Sequence, residues 1–275
     1  MLTLVPTPIG NLEDISFRSL EALKSAELFL CEDTRVTKKL LTLLSEKYHV
    51  TFPCNTFHSF HHHNQEKLLS TFDITTFKEK NIVYVSDAGM PCVSDPGTTL
   101  VEFCIQNEIT YDVLPGANAI LTAYALSGFD YAQFSFFGFL PHKGKERQNA
   151  FNHLMMSPFV AIVYESPHRL LKFLEELSVY DENRVIFLAK EISKKFQTTY
   201  KGSAKTLFEQ LKKTSIKGEW VVVIEPQAQA SGEMITQADV QELQLPPKQK
   251  AKLLAKLTGR SVKEIYQEIL DTIQA

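Results

Sequence analysis

One loop and the two segments that flank it decide the fold. The loop reads Val85-Ser86-Asp87-Ala88-Gly89-Met90-Pro91-Cys92-Val93-Ser94-Asp95-Pro96-Gly97. The apolar run Ile82-Val83-Tyr84-Val85 before it is typical of a buried strand, and a helix is predicted over 98–106. Glycine frees the backbone whereas proline fixes it, so the connection is a shaped, stiff one. Open α/β sheets bind ligands at such strand ends. The stretch therefore predicts a ligand loop, with a purely structural loop as the alternative.

The segments around this loop repeat the strand-then-helix pattern. Strands are predicted over 2–5, 28–31, about 50–56, 82–85 and 111–114, with helices between them. Asp14 is the predicted N-cap of the first helix. Strands that alternate with helices at this spacing indicate βαβ units and a mostly parallel sheet. The first half is therefore predicted to be an α/β domain over residues 1–115.

The second half starts with a helix over 119–127 that ends at Gly128. Strands are then predicted over 134–139, 159–164, 185–189, 196–200 and 220–224. The short intervals between the last strands indicate some antiparallel pairing. We predict a second α/β domain over residues 116–227.

A linker precedes a helical C-terminal module, predicted over residues 232–275. The turn before Ser261 resembles that of a helix-turn-helix. Every charge from Lys248 to Lys263 is positive. This run indicates either contact with nucleic acid or a solvated helix face.

The composition is that of an ordinary globular protein: 275 residues, 44% hydrophobic and 22% charged, with a net charge of −3. That charge gives no general attraction to nucleic acid. The four cysteines have neither CxxC nor zinc-site spacing, which indicates reduced thiols. Without a signal or membrane-span pattern, the chain is predicted to be cytoplasmic.

Four loops are expected to meet at the carboxyl edge of the first sheet: the one quoted above, 6–11, 32–35 and 58–64. Glu32 and Asp33 are suited to orient a cation or accept a proton, and Arg35 to hold phosphate. The alternative for Asp33 is a helix cap. His61, His62 and His63 lack a third ligand at suggestive spacing, so no metal is predicted.

Missing motifs narrow the class of protein. The sequence has no phosphate-binding P-loop, no dinucleotide fingerprint and no nucleophile elbow. In the second half, polar residues follow predicted strands at 139–143, 164–169 and 189–195, of which Lys194-Lys195 are predicted to be solvated. Residue patterns alone therefore predict two α/β domains with a cleft between them, and an enzyme of unspecified reaction.

Together these loops resemble those of the RsmI-type 16S rRNA (cytidine-2′-O)-methyltransferases of the tetrapyrrole methylase superfamily. The motifs that carry the resemblance are Pro6-Thr7-Pro8-Ile9-Gly10-Asn11-Leu12, Glu32-Asp33-Thr34-Arg35, His61-His62-His63-Asn64, Val85 to Gly97, Leu114-Pro115-Gly116, Gly138-Phe139-Leu140-Pro141, Tyr164-Glu165-Ser166-Pro167-His168-Arg169 and Lys217-Gly218-Glu219.

The resemblance implies a tetrapyrrole-methylase fold, S-adenosyl-L-methionine in the cleft, a homodimer, and 2′-O-methylation of a cytidine in the decoding region of 16S rRNA. It implies cofactor contacts from Pro8, Asp87, Ala88, Gly89, Met90, Pro91, Asn118, Ala119, Glu165, Ser166 and Glu191. The chain departs from the family by its longer histidine run and by Lys190-Glu191, where Arg-Glu is common.

A ribose hydroxyl is a weak nucleophile, so a base is expected to help the reaction. Asp33 and His63 are the candidates for that base, with Lys143 and Arg35 as clamps on RNA phosphate. We expect Asp33→Asn to keep cofactor binding and to lose methylation. An assembled small ribosomal subunit is the expected substrate. The alternatives are a methyltransferase acting on a small tetrapyrrole and a non-catalytic RNA-binding assembly factor.

Overall fold

The computed structural model describes residues 1–227 and 235–274. They belong to two units, Met1–Gln227 and Ala228–Ala275. None of the helices in these ranges is both long and apolar enough to cross a bilayer. The predicted domain boundary at residue 115 stays a prediction; the last strand of the first sheet ends at Val113, and the first helix of the second half begins at Ala119.

The first sheet is parallel throughout, with strand order β3-β2-β4-β1-β5. Its strands are β1 (Leu2–Leu4), β2 (Leu28–Cys31), β3 (Phe57–Ser59), β4 (Ile82–Val85) and β5 (Tyr111–Val113). The helices of this half are α1 (Phe17–Ser25), α2 (Thr34–Tyr48), α3 (Gln65–Thr71), α4 (Ile74–Glu79) and α5 (Gly97–Gln106). Side chains alternate between two cores because strand residues point to opposite faces. Ile82 and Tyr84 enter one core, whereas Val83 and Val85 enter the other.

The second sheet is mixed, with order β6-β7-β10-β8-β9. Its strands are β6 (Phe134–Phe139), β7 (Val160–Glu165), β8 (Val185–Lys190), β9 (Thr198–Ser203) and β10 (Trp220–Ile224). The helices of this half are α6 (Ala119–Ser127), α7 (Gly144–Met155), α8 (Pro167–Tyr180) and α9 (Ala204–Leu211). Strand β10 runs antiparallel to both of its neighbours, β7 and β8, and β9 is antiparallel to β8, which confirms the predicted antiparallel pairing.

The two halves of the first unit share part of a core. Ile9, after β1, and Val93, after β4, pack against a cluster from the second sheet that includes Ile162, Phe187 and Val223. This contact places the loops after the first-sheet strands against one face of the second sheet.

In three places a predicted strand or helix cap lies a few residues from its expected position. The strand expected over 50–56 is β3, further along, because Pro53 has no N–H to donate to a sheet ladder. The strand expected over 196–200 is β9, because the preceding residues form a tight turn in which Gln197 N donates to the Lys194 carbonyl at 3.0 Å. The N-cap of α1 is Ser16, which accepts from Ser19 N at 3.0 Å, and not Asp14, which belongs to a short 3₁₀ turn.

The described part of the C-terminal unit contains α10 (Gln237–Glu242), α11 (Pro247–Thr258) and α12 (Val262–Gln274). Their common core consists of Val240, Ala251, Leu254 and Ile265. Gly259 closes α11 in the left-handed conformation, at φ 70°, where glycine is the favoured residue. The predicted helices of this module are therefore confirmed; the first residues of the module, up to 234, lie outside the described residues.

Candidate active site

A cavity of about 440 Å³ opens where the strand ends of the two sheets face each other. One wall comes from the loops after β1, β2, β4 and β5 of the first sheet. The other comes from the ends of β6 and β7, the loop after β8 and the start of β10. Ligand sites of α/β proteins lie at such strand ends and are commonly 300–1,000 Å³ in volume, so this cavity is the candidate active site.

The predicted meeting of four loops at the first sheet is confirmed. Thr7 and Gly89 exchange two backbone hydrogen bonds of 3.0 Å, which join the loops after β1 and β4. Glu32 accepts from Asp87 N at 3.2 Å, and Ser59 Oγ donates to the Glu32 carbonyl at 3.4 Å.

Hydrogen bonds to Asp95 hold the loop after β4, residues 85–97, in a fixed conformation. The Oδ1 atom of this aspartate accepts from Cys92 N at 3.0 Å, from Gly97 N at 2.8 Å and from the Tyr84 hydroxyl at 3.1 Å. Cys92 and Ser94 both have left-handed backbone angles, at φ 66° and 70°, which a non-glycine residue adopts at an energetic cost. The hydrogen bonds of Asp95 hold the loop in this conformation, with Asp87, Ala88, Gly89 and Met90 at the cavity.

The hydroxyl oxygen of Ser86 is a buried polar atom in the cavity wall. The residue is 3% exposed and lines the cavity, and its hydroxyl has no hydrogen-bond partner among the described residues. Buried polar groups of native proteins are nearly always paired. An unpaired hydroxyl in a cavity wall therefore indicates a place for a polar atom of a ligand.

Carboxylates stand on both sides of the cavity. Burial raises the pKa of Glu32 and of Asp87 above their ordinary values. The negative charge of Asp87 raises the pKa of Glu32 further, and that of Asp33 raises the pKa of Asp87. On the opposite side, Glu165 is 2% exposed, and its Oε1 accepts from Ser166 N at 2.8 Å and lies 3.2 Å from Arg169 Nε. Burial also raises the pKa of Glu165.

Eight of the predicted cofactor residues line this one cavity: Asp87, Ala88, Gly89, Met90, Asn118, Ala119, Glu165 and Ser166. Pro8, Pro91 and Glu191 do not line it. Glu191 instead supports the wall, because its Oε1 accepts from Glu219 N at 2.8 Å and from Lys194 Nζ at 3.2 Å.

Lys194 was predicted to be solvated, and this is wrong. Its side chain is only 26% exposed and forms ion pairs with Glu191, at 3.2 Å, and Glu219, at 2.9 Å. The reason is the neighbouring β10, which brings Glu219 beside the loop after β8.

The predicted catalytic residues lie outside the cavity lining. Asp33 is the N-cap of α2 and accepts from Arg35 N at 2.8 Å, and its carboxylate also pairs with the Arg35 guanidinium at 2.6 Å. That pairing lowers the pKa of Asp33 to about 2. His63 is exposed, with its ring 6.0 Å from that of His61. Lys143 borders a separate depression with Arg147 and Lys172. Their catalytic roles stay predictions.

Sequence reasoning missed part of the second wall. Ile192 and Glu219 line the cavity from segments that the sequence singled out, 189–195 and 217–219, whereas Trp220 and Val221 line it but belong to no predicted set. Only the pairing of β10 between β7 and β8 brings them there, and no local pattern encodes that pairing. No three described His, Cys, Asp or Glu side chains are grouped as metal ligands.

Comparison with known proteins identifies the family of the chain. Residues 1–207 match the family of tetrapyrrole (corrin/porphyrin) methylases. Ribosomal RNA small subunit methyltransferase I of Campylobacter fetus is 48% identical over 270 residues, which cover 98% of this chain and 100% of that protein. The protein of the same name from Helicobacter pylori strain J99 is 44% identical over 286 residues, covering 98% of each.

Solved structures share the fold at low identity. A diphthine synthase has a TM-score of 0.61 at 15% identity, covering 82% of this chain and 89% of that one. Uroporphyrin-III C-methyl transferase from Thermus thermophilus, complexed with S-adenyl homocysteine, has a TM-score of 0.54 at 16% identity, covering 81% and 96%.

The two-sheet fold and its cavity are those of an S-adenosylmethionine-dependent methyltransferase, and the chain belongs to the tetrapyrrole methylase family. Within it, the chain belongs with the proteins named ribosomal RNA small subunit methyltransferase I.

The residues present fit S-adenosylmethionine. Its sulfonium and amino groups are cationic, and Asp87 and Glu165 supply carboxylates in the cavity walls. The unpaired Ser86 hydroxyl suits one of its polar atoms, and Met90, Ile192 and Val221 provide apolar wall.

Proposed function

We propose that this chain transfers a methyl group from S-adenosylmethionine to the 2′-hydroxyl of a cytidine in the decoding region of 16S rRNA. The observation that carries the proposal is the cavity itself: eight residues chosen from motif resemblance line it together, in a chain 48% identical to a curated small-subunit rRNA methyltransferase.

S-adenosylmethionine, when bound, supplies an activated methyl group on a cationic sulfur. The chain's own residues have to hold the donor and align the hydroxyl, because an in-line displacement depends on positioning. Asp87, Glu165, Ser86 and the backbone of 88–90 are the proposed donor contacts, together with Asn118, Ala119 and Ser166. The rigid Asp95-centred loop keeps this wall in place before the donor arrives.

The substrate is proposed to be the assembled small subunit, because a chain of net charge −3 has no general attraction to naked RNA. Arg35 and Lys143, whose side chains are exposed, are proposed phosphate contacts. Such a substrate would place the enzyme in the cytoplasm, as the sequence predicts.

A homodimer is part of the proposal. Helix α6 carries no charged residue and exposes Leu121 by 54% and Leu126 by 42%. Beside it, the ring of Phe134 on edge strand β6 lies 5.0 Å from that of Tyr124. An uncharged helix with exposed leucines favours burial against a second copy. Leu121→Lys is expected to shift the mass in solution, measured by light scattering, from dimer to monomer.

The deciding experiment supplies labelled S-adenosylmethionine and small subunits isolated from cells lacking this gene. We expect incorporation at one ribose, recovered as 2′-O-methylcytidine after complete digestion of the RNA. Naked 16S rRNA, tested in parallel, is expected to be a poorer substrate. Label on a base, or on a tetrapyrrole but not on RNA, would contradict the proposal, and binding without transfer would indicate an assembly factor.

A further inference from the structure

The two acidic residues of the loop after β2, Glu32 and Asp33, place their carboxylates in different surroundings. Glu32 follows β2 directly and lines the cavity, whereas its neighbour Asp33 does not. Its Oε2 accepts from Asp87 N at 3.2 Å, which fixes the side chain against the donor-binding loop. Within residues 1–227 and 235–274, no group donates a hydrogen bond to the other oxygen, Oε1.

Asp33, by contrast, has both carboxylate oxygens occupied. Oδ1 accepts from Arg35 N at 2.8 Å and from Arg35 Nε at 3.1 Å, and Oδ2 lies 2.6 Å from Arg35 Nη2. A carboxylate engaged in this way caps a helix and holds an arginine, and it has little basicity left for a substrate.

The pKa values of Glu32 and Asp33 are shifted in opposite directions. Burial raises the pKa of Glu32, with further contributions from the charges of Asp87 and Asp95, whereas Arg35 lowers the pKa of Asp33 to about 2. The group with the higher pKa is the better proton acceptor near neutral pH.

We propose that the Glu32 carboxylate accepts the proton of the ribose 2′-hydroxyl during methyl transfer. This inference rests on the proposed 2′-O-methylation. The hydroxyl oxygen forms a bond to the methyl carbon, and the carbon–sulfur bond breaks with its electron pair remaining on sulfur. The hydroxyl proton passes to Glu32. The sulfonium becomes a neutral thioether, so no further reactant is needed.

The test compares Glu32→Gln with Asp33→Asn in single-turnover methyl transfer to small subunits. Glutamine keeps an oxygen that can accept from Asp87 N but cannot take up the proton. Loss of a general base costs about 10²- to 10⁴-fold in rate, and we expect a loss in that range for Glu32→Gln. Asp33→Asn tests the other candidate base and is expected to lose less rate than Glu32→Gln. The control is Glu21→Gln, which removes the same charge from the exposed surface of α1 and is expected to retain the rate.

Measurements other than activity separate chemistry from folding. Calorimetry is expected to give unchanged affinity of Glu32→Gln for S-adenosylmethionine, and filter binding unchanged affinity for small subunits. Glu32→Asp, which retains a carboxylate, is expected to recover part of the rate.

The pH profile gives a second, independent readout. The wild-type single-turnover rate is expected to fall on the acid side as Glu32 becomes protonated, and the fall is expected to be absent in Glu32→Gln. Asp87, Asp95 and His62 are the charged or titratable groups that act on Glu32. His62→Gln is expected to keep the acid-side fall, which assigns it to Glu32 and not to the histidine.

Each outcome decides between explanations. A wild-type rate that is flat on the acid side, or a Glu32→Gln enzyme as fast as wild type, overturns the role of Glu32. If Asp33→Asn loses rate and Glu32→Gln does not, Asp33 is the residue that accepts the proton, as the sequence predicted. If the wild-type enzyme methylates a base, the proposed function fails independently of any result at Glu32.

Discussion

The aliphatic chain of Lys194 lies directly against the Cα atom of Gly10. A methyl group on Gly10 would overlap Lys194 Cγ and would lie 3.1 Å from its Cδ and Cε. The lysine cannot swing away freely, because its ammonium group is paired with Glu191 and Glu219. Ser193, next to it, donates a hydrogen bond to Asp14. These contacts tie the loop after β1 to the loop after β8, beside the cavity.

Gly10→Ala is therefore expected to weaken donor binding and to lower the free energy of unfolding by about 1–3 kcal/mol, the usual cost of overpacking. Chemical denaturation and calorimetry measure the two effects. Gly202→Ala is the control, because its nearest contact would be an ordinary 3.5 Å to Leu207. The double variant Gly10→Ala with Lys194→Ala is expected to be less destabilised than the sum of the single variants. Strict additivity would show that the contact is unimportant.

Much of the fold was accessible from the sequence because both faces of the first sheet are covered. Its strands are continuous apolar runs such as Ile82 to Val85, which are easily recognised. The prediction failed where one residue overrode the local pattern, as Pro53 did in the 50–56 segment.

The sequence could predict the residues of the candidate site that lie together in one loop, but not those that strand pairing brings to it. Asp87 to Met90 follow a strand and could be recognised from the sequence. The contributions of Trp220 and Glu219 depend on register: Trp220 pairs with Glu165 on one side and Lys190 on the other. Contacts between residues far apart in the chain, such as the ion pair of Lys194 with Glu219, produce no periodic pattern in the sequence. For that reason Lys194 was wrongly predicted to be solvated.

Asp95 offers a direct test of loop rigidity. Asp95→Ala removes the acceptor of Cys92 N and Gly97 N, and leaving buried donors unpaired costs about 1–3 kcal/mol. We expect that loss of unfolding free energy, together with weaker donor binding. Asp95→Asn keeps one oxygen for the same donors and is expected to stay near wild type. Equal loss in both variants would indicate that charge, and not the acceptor atom, holds the loop.

Glu32 and Asp33 are expected to affect stability in opposite directions. A carboxyl group whose pKa is raised by folding stabilises the protein fully below its unfolded pKa, and this contribution is lost as the pH rises through the folded pKa. Burial raises the pKa of Glu32, so Glu32→Gln is expected to be more stable than wild type at neutral pH, with a gain that shrinks on acidification.

For Asp33 the pKa is lowered, from 3.8 to about 2. Its contribution is present above the unfolded pKa and is lost as the pH falls through the folded one, so Asp33→Asn is expected to be less stable than wild type at neutral pH. Thermal unfolding of the two variants over a pH series checks both signs. Shifts of the same sign would contradict the assignment of the environments.

Ser86→Ala tests the unpaired hydroxyl. Because Ser86 Oγ has no partner among the described residues, its removal is expected to leave the unfolding free energy unchanged or slightly raised. Donor affinity is expected to fall by about 2- to 13-fold, the equivalent of one hydrogen bond of 0.5–1.5 kcal/mol. Ser25→Ala, on an exposed part of α1, is the control and is expected to change neither quantity. Unchanged donor affinity in Ser86→Ala would remove Ser86 from the donor site.

The C-terminal unit presents a basic stripe on α11. Lys248, Lys252 and Lys256 follow one another at four-residue spacing, are exposed, and form no ion pair within the described ranges. Arg260, in contrast, pairs with Glu268, so the positive run predicted from the sequence is partly neutralised.

Replacing these three lysines by glutamine is expected to weaken binding to small subunits and to lower the salt dependence of the affinity. Each lost phosphate contact reduces the slope of log K against log salt by about 0.7–0.9, so a decrease of about 2 to 3 is expected. The matched control replaces Lys24, Lys205 and Lys212, which already pair with glutamates in the first unit. Both variants change the net charge equally, so an equal effect would mean that the total charge matters and not the α11 stripe. A slope reduced only in the α11 variant would identify that helix as a contact with rRNA phosphate.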